Sequence, residues 1–212
     1  MSRRGQVFSN PVTGERAVIL TDPYAHRERV LVSHLFVQPG GRVAAEHFHP
    51  SIVERFHVLH GRVGFMIDGR ERVLEPGERA QVLPGVPHDW WQLGPEEAQV
   101  IVEVAPGDRF VEVVGTMFGL ARDGKVDKRG LPHPLQLAVT ASVYRDAVVF
   151  TSPPQWLQRL MFGTLAPLGR ALGRRPSYDE YLHSAEFADP DPAALALLTP
   201  DGRLAFDEAP IA

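Results

Sequence analysis

The chain has 212 residues, 44% of them hydrophobic and 23% charged, and its formal net charge is -4 at pH 7. This composition is typical of a globular protein with a full hydrophobic core and excludes a largely disordered chain. The negative charge provides no general field that would attract nucleic acid. The absence of cysteine excludes disulfides, thiolate metal ligands and cysteine nucleophiles. Any metal site must therefore use histidine and carboxylate side chains.

The N-terminal segment, MSRRGQVFSNPVTGER, has two arginines but no apolar run after them, so it does not have the pattern of a secretory signal. No apolar run approaches the roughly 20 residues that a transmembrane helix needs. These two features lead us to expect a cytoplasmic protein.

Residues 5 to 106 consist of short alternating or β-branched runs that are separated by turn residues. The turns fall at Pro39 to Gly41, at Gly61, at Asp68-Gly69 and at Pro76-Gly77, and Asp68-Gly69 is a typical two-residue hairpin turn. Closely spaced short strands of this kind are the pattern of an all-β sandwich or barrel. Because the strands follow one another as hairpins, we expect an antiparallel sheet.

After Pro106 the apolar residues recur three and four positions apart, which predicts helices. The first predicted helix contains Phe110 to Ala121, and the second runs from Pro134 to about Ala147. The third runs from Pro154 to Leu172, and Pro167 should kink or divide it.

The third predicted helix has one apolar stripe, formed by Leu157, Leu160, Met161, Leu165, Leu168 and Leu172. Arginines border this stripe, as they do in helices that lie on anionic membranes. However, the segment contains more glycine and proline than a free amphipathic helix tolerates well. We therefore expect the stripe to pack against the barrel or against a second subunit. In one variant of the first alternative the helix forms a lid over the mouth of the barrel. We do not expect membrane contact.

These patterns divide the chain into three parts. Residues 1–106 are predicted to form the β-barrel and residues 107–188 a helical C-terminal extension. Residues 189–212, which proline punctuates, are predicted to form a loosely structured tail.

The stretch AAEHFHPSIVERFHVLHG contains four of the nine histidines. Alternate residues of a strand face the same side, so His47 and His49 can both point inward. Glu54 begins the next strand and would face the same interior, and His88, which follows a Pro-Gly turn, could lie opposite. His57 should face away from Glu54. We expect His57 and His60 to be structural or surface residues.

The spacing of these residues resembles the two sequence motifs of the cupins. The first motif, G-x5-H-x-H-x3-4-E-x6-G, is matched at residues 41–61 by Gly41, His47, His49, Glu54 and Gly61. The second motif, G-x5-P-x-G-x2-H-x3-N, is matched at residues 77–92 by Gly77, Gly85 and His88, although Leu83 replaces the proline and Gln92 the asparagine. Neither replacement removes a ligand. The resemblance covers about Val30 to Val104, and the helical remainder resembles C-terminal extensions of bacterial single-cupin proteins.

This resemblance implies a mainly β fold, the double-stranded β-helix or jelly-roll barrel, with a helical C-terminal annex. It also implies a homodimer and one divalent metal ion bound by His47, His49, Glu54 and His88. Three neutral imidazoles and one carboxylate suit Mn, Fe, Ni, Cu or Zn, and they leave a six-coordinate ion with two open positions.

The alternation of the strands predicts that Phe56, Val58, Trp90 and Gln92 line a pocket beside His88. Such a pocket suits a small apolar or aromatic ligand that carries one or two oxygen donors. The sequence assigns no catalytic acid or base.

Three functions remain open on this reading. The first is a metal-dependent dioxygenase or other oxidoreductase that acts on a small chelating organic substrate. The second is a metal-dependent isomerase or lyase, and the third is a non-catalytic small-molecule-binding or sensor protein. No DNA-binding element accompanies the barrel in the sequence, which disfavours direct transcriptional control.

Overall fold

A computed structural model describes residues 3–25, 27–183 and 186–205. Its strands are β1 (Val7–Asn10), β2 (Glu15–Thr21), β3 (Leu31–Val37), β4 (His47–Phe48), β5 (Val53–His60), β6 (Arg62–Ile67), β7 (Arg70–Leu74), β8 (Arg79–Val82), β9 (His88–Leu93), β10 (Ala98–Ala105) and β11 (Val149–Phe150). Its helices are α1 (Asp108–Arg122), α2 (Pro134–Tyr144), α3 (Gln155–Ala171), α4 (Asp179–Leu182) and α5 (Pro192–Leu195). Within these residues, no helix is both long enough and apolar enough to cross a bilayer.

The strands form two sheets in which every pairing is antiparallel. One sheet has the order β1-β2-β3-β10-β5-β8, and the other has the order β11-β4-β9-β6-β7. Side chains from both sheets meet in one apolar core, which includes Val37, Phe56, Phe65 and Trp90. The prediction of a mainly β, antiparallel barrel with helices in the C-terminal region is confirmed.

The hairpin predicted at Asp68-Gly69 joins β6 to β7. Both residues have positive φ angles, 49° for Asp68 and 71° for Gly69. This is the backbone of a type I′ turn, whose twist matches that of the strands on either side. The register of β6 and β7 therefore follows from two residues of the sequence.

Helices α1 and α2 pack against the barrel and share its core. Val111 and Phe118 of α1, together with Tyr144 of α2 and the nearby Ala147, belong to the same buried cluster as the strand residues. The first two predicted helices are therefore present, although α2 ends at Tyr144 rather than near Ala147.

The structure also has a strand that the sequence did not predict. After α2 the chain forms β11, which pairs with β4 so that Phe150 lies opposite His47 and Val149 opposite Phe48. Residues 107–188 thus contribute to the second sheet, although we expected only helices there. Two residues are too few to produce a recognisable strand pattern.

Helix α3 is present, but it packs through a different face from the one predicted. It runs through Pro167 without being divided, and its buried residues are Gln158, Ala166 and Gly169. Ala166 and Gly169 face α2, whereas the Gln158 amide donates to the carbonyls of Phe150 and Pro153. The predicted stripe is largely exposed: Leu160, Met161, Leu168 and Leu172 are open to solvent, and only Leu157 and Leu165 are partly buried. The prediction that this stripe packs against the barrel is therefore wrong. Small residues on the opposite face of α3 allow that face to approach α2 closely, so it is the opposite face that is buried.

The described part of the C-terminal tail, residues 189–205, is more ordered than we expected. Ala194 and Leu204 are buried with Ile101 on the outer face of the larger sheet. The backbone amide of Leu204 donates to the buried carboxylate of Glu103 at 2.7 Å, and Arg203 pairs with the same carboxylate. The tail therefore covers strand β10, whose two faces are both largely buried.

Candidate metal centre

Four buried side chains converge between the two sheets. His47 lies in β4, His49 lies just after it, Glu54 lies in β5 and His88 lies in β9. One ligand atom from each residue lies within 4.8 Å of the others. The structure therefore brings together all four predicted ligand residues, and this group could hold a metal ion.

Strand pairing explains why these residues meet. His47 and His88 are directly opposite each other in the pairing of β4 with β9. The third residue of β9, Trp90, and the fifth, Gln92, are buried like His88, whereas the residues between them are only partly buried. Glu54 approaches from the facing sheet, where it pairs with Val82 and Val104.

Each of the three imidazoles is oriented by a backbone carbonyl. The Nδ1 atom of His47 lies 3.0 Å from the oxygen of Ala45, that of His88 lies 3.1 Å from the oxygen of Val86, and that of His49 contacts the oxygen of Ala147. A carbonyl can only accept a hydrogen bond, so each Nδ1 carries a proton, and in the neutral ring the lone pair then lies on Nε2. This is the usual arrangement of metal-binding histidines.

The Nε2 atoms of His49 and His88 lie 3.3 Å and 2.9 Å from the Oε2 atom of Glu54. Both nitrogens are buried, and neither makes a hydrogen bond of acceptable geometry. Ligand atoms around one ion at about 2.1 Å lie no more than about 4.2 Å apart. Small movements would therefore close the group on an ion, and the orphaned nitrogens would gain a partner. The donor set fits a divalent cation.

The electrostatics of the group also favour a cation. Burial lowers the pKa of His47 to about 3, and the neighbouring imidazoles act in the same direction, so this ring is neutral. Burial alone would raise the pKa of Glu54, but His49 and His88 hold it well below its usual range. Burial likewise opposes a charge on His49, yet the Glu54 carboxylate raises its pKa. A buried carboxylate that stays ionised attracts positive charge from a proton or from a metal ion.

The two other histidines of the crowded stretch lie away from this group, as we expected. The His57 ring is buried, and its Nδ1 atom accepts a hydrogen bond from Arg79 at 2.9 Å rather than contacting the candidate metal group. His60 is exposed at the end of β5.

A cavity of about 180 Å³ adjoins the group, and His47 and Glu54 form part of its wall. Two of the predicted pocket residues, Phe56 and Trp90, line this cavity. Val58 and Gln92 are not among its lining residues. Val58 is fully buried in the core, and the Gln92 side chain bonds to backbone atoms of Gly40, Gly94 and Glu96.

The opposite wall of the cavity comes from residues that we did not predict. They belong mainly to α1 and α2 and are mostly apolar: Phe110, Val113, Val114, Met117, Phe118, Leu137, Thr140, Ala141 and Tyr144. The Phe110 ring also stands edge-on to the His49 ring, with centroids 5.5 Å apart. The helical periodicity predicted these elements, but it does not show where a helix docks.

One acidic side chain on the barrel side of the cavity also went unpredicted. Glu15, in β2, is buried and lines the cavity, and the Thr13 hydroxyl donates to its carboxylate. Burial raises the pKa of Glu15 to about 7, although the hydrogen bond from Thr13 opposes the shift. In the sequence it is one acidic residue within an alternating strand, with no motif to mark it.

Comparison with known families agrees with the motifs. Residues 33–108 match the model of the Cupin_2 family, the cupin domain. This part of the chain is therefore a cupin domain, which confirms the resemblance seen in the sequence. No curated protein sequence matches the chain.

Several solved structures are similar to parts of the chain. The Cnp3 cupin domain of Schizosaccharomyces pombe is 11% identical over 43% of this chain and 64% of that one, with a TM-score of 0.39. A sugar phosphate isomerase of the cupin superfamily from Silicibacter pomeroyi is 21% identical over 44% and 60%, with a TM-score of 0.41. KdgF from Halomonas sp. is 17% identical over 47% and 84%, with a TM-score of 0.40. The chain thus spans less than two thirds of the first two structures.

Proposed function

We propose that this protein is a metal-dependent oxidoreductase, of the dioxygenase type, that acts on a small chelating organic substrate. One divalent ion, which could be Mn, Fe, Ni, Cu or Zn, would be bound by His47, His49, Glu54 and His88. The observation that carries the proposal is that His47 and Glu54 belong both to this group and to the cavity wall. When bound, a redox-active ion would supply Lewis acidity and one-electron chemistry to a ligand in the cavity.

The cavity lining supports a substrate of limited polarity. Most of the residues around it are aliphatic or aromatic, so an apolar or aromatic body would be desolvated there at little cost. Polar groups of the substrate would be placed at the His47 and Glu54 end, where one or two oxygen donors could reach the ion. The helical residues would exclude water from that end.

A metal-dependent isomerase or lyase is the second candidate, and Glu15 is the observation that favours it. A buried carboxyl group with a pKa near 7 is suited to accepting and returning a proton at neutral pH. Glu15 lines the same cavity as His47, so a substrate bound there could meet both. In this candidate the ion only polarises a carbonyl group, and oxygen plays no part.

The first experiment measures metal content in the purified protein without a histidine tag, in the His49→Ala variant and in the His57→Ala variant. We expect near-stoichiometric metal in the unaltered protein and in His57→Ala, and its loss in His49→Ala. Equal metal content in the two variants would contradict the ligand assignment.

Oxygen consumption with small enolic and phenolic compounds then separates the candidate reactions. Oxygen uptake that depends on iron, manganese, nickel or copper supports the dioxygenase. Turnover that zinc sustains without oxygen supports the isomerase or lyase. A compound that binds without turnover would instead indicate a binding or sensor protein.

A further inference from the structure

Helix α3 presents a broad apolar face to solvent. The side chains of Trp156, Leu160, Leu168 and Leu172 are between 51% and 69% exposed, and Met161 is 36% exposed. At 100° per residue these positions, together with Leu157, Thr164, Pro167 and Ala171, occupy an arc of about 160°. Thr164 is the only polar residue in this arc, and its hydroxyl donates to the carbonyls of Leu160 and Met161. We call these nine positions the α3 face.

Contacts within the chain hold this face outward. On the opposite side of α3, a Cβ atom at Gly169 would lie 2.6 Å from Val139 and 2.8 Å from the carbonyl oxygen of Leu135. The Gln158 amide donates to the carbonyls of Phe150 and Pro153 at 2.7 Å and 2.6 Å. These contacts fix the rotation of the helix, so the α3 face cannot turn towards the barrel.

The segment around the α3 face is positively charged, although the whole chain has a net charge of -4. Residues 147–178 contain four arginines, at positions 159, 170, 174 and 175, and no acidic residue. Arg159 and Arg170 lie along one edge of the α3 face, and the other two follow the end of the helix.

A groove runs beside this edge of α3. Its lining includes Arg145, Arg159 and Arg170, together with Phe150 and Phe162, and it contains no acidic side chain among the described residues. The groove thus places three guanidinium groups next to apolar surface. A phosphate-bearing amphiphile matches both features, because its phosphate group is anionic and its hydrocarbon part is apolar.

We propose that the α3 face docks on a bilayer surface that contains anionic phospholipid. The helix lies in the plane of the interface, with its apolar side chains among the acyl chains and its arginines at the level of the phosphates. Amphipathic helices with basic residues bind membranes in this way, and each arginine near an anionic surface strengthens the attraction. This proposal does not depend on the metal ion or the reaction proposed above.

Charge argues for a bilayer rather than a second copy of the chain. A two-fold pairing of the α3 face would bring the same surface of both subunits together. Arginines of the two copies would then share an interface to which α3 contributes no carboxylate. Anionic lipid supplies the missing negative charge.

Flotation of the full chain with lipid vesicles tests the proposal. We expect binding to vesicles of phosphatidylcholine mixed with phosphatidylglycerol, and at least about tenfold weaker binding to phosphatidylcholine alone. Rising salt should weaken the binding because it screens the arginines. Absence of binding to both kinds of vesicle would overturn the proposal.

Two matched double variants localise the surface. Leu160→Asp with Leu168→Asp alters the α3 face, whereas Val73→Asp with Leu83→Asp alters exposed apolar residues of the barrel. We expect the first pair to abolish flotation and the second to preserve it. Equal flotation of both pairs would refute the assignment to α3. A stable dimer in sedimentation velocity that only the first pair dissociates would show that a second copy covers this face, and would also overturn the proposal.

Discussion

The cupin domain and the C-terminal helices contribute differently to the candidate site. The domain supplies every side chain of the His47, His49, Glu54 and His88 group, from strands of both sheets. The C-terminal region supplies none of them, yet the carbonyl of Ala147 orients His49, and α1 and α2 form much of the cavity wall. The difference teaches that the candidate ligand atoms belong to the family motifs, whereas the barrel and this chain's extension together bound the space beside them.

The largest effect should follow from removing the charged member of the group. Glu54→Gln keeps the shape of the side chain but removes the negative charge, so the affinity for a divalent ion should fall by about a hundredfold or more. Titration with a metal indicator measures this change. Glu103→Gln is a useful control because Glu103 lies in β10, the strand paired with β5 in the same sheet, and is also buried, but its carboxylate pairs with Arg55 and Arg203. If Glu103→Gln reduces the affinity as much, the charge of the barrel rather than the ligand atom is responsible.

The ionisation of Glu15 can be used to test whether the helices shield the barrel side of the cavity from water. Because burial raises its pKa from 4.5 to about 7, the folded chain retains a proton that the unfolded chain has lost. The free energy of unfolding should therefore fall as the pH rises from about 4.5 to 7, by on the order of 3 kcal/mol from this group. Below pH 4.5 the group has no such effect.

Denaturant unfolding at several pH values measures this contribution. In Glu15→Gln the corresponding part of the pH dependence should disappear, since no proton is exchanged at this position. An unchanged pH profile in the variant would show that Glu15 is hydrated in solution, and so that the cavity is open there.

The contact of α3 with α2 should depend on the small size of Gly169. In Gly169→Ala the new methyl group would approach Val139 and the Leu135 carbonyl too closely, so we expect a loss of about 1–3 kcal/mol in unfolding free energy. Gly163→Ala is the matched control, because no heavy atom of the described residues, apart from the neighbouring part of α3 itself, lies within 4 Å of the position its Cβ would take. That variant should gain about 0.5–1 kcal/mol from helix propensity. Similar effects of the two changes would contradict the observed rotation of α3.

The smallest effect should come from the contact of α1 with the metal group. Phe110→Leu keeps an apolar side chain on α1 but removes the edge of the ring that packs against His49. We expect metal affinity to fall by less than about tenfold, since the backbone carbonyl of Ala147 still orients the imidazole. Metal titration measures the change. A loss as large as that of Glu54→Gln would mean that the helices, rather than the strands, control the centre.

The features of the barrel that the sequence predicted are those that follow from local sequence rules. Period-two alternation placed the buried residues of β9, and the positive φ angles of Asp68 and Gly69 followed from the preferred residues of a type I′ turn. The motif spacing identified the four side chains that the structure brings together. Their role as metal ligands stays a prediction, as do the homodimer and the division of the chain at residues 106 and 188.

The less predictable features depended on contacts between distant parts of the chain. The helix of residues 155–171 was expected from its apolar stripe, but hydrophobicity did not reveal that small residues on the other side would make the contact. The proline-rich tail was expected to be loose, yet Leu204 and Ala194 are buried on the outer face of the larger sheet.

The sequence by itself determined the fold class, the antiparallel hairpins, the helices α1 to α3 and the donor set of the candidate centre. Strand alternation, turn residues and motif spacing act over a few positions, so they can be read from the chain. Tertiary structure alone decided that Ala147 orients His49, that α1 and α2 enclose the cavity, that Glu15 is buried beside it, and that the α3 face points to solvent. These features depend on which surfaces fit together, and local sequence patterns do not encode that fit.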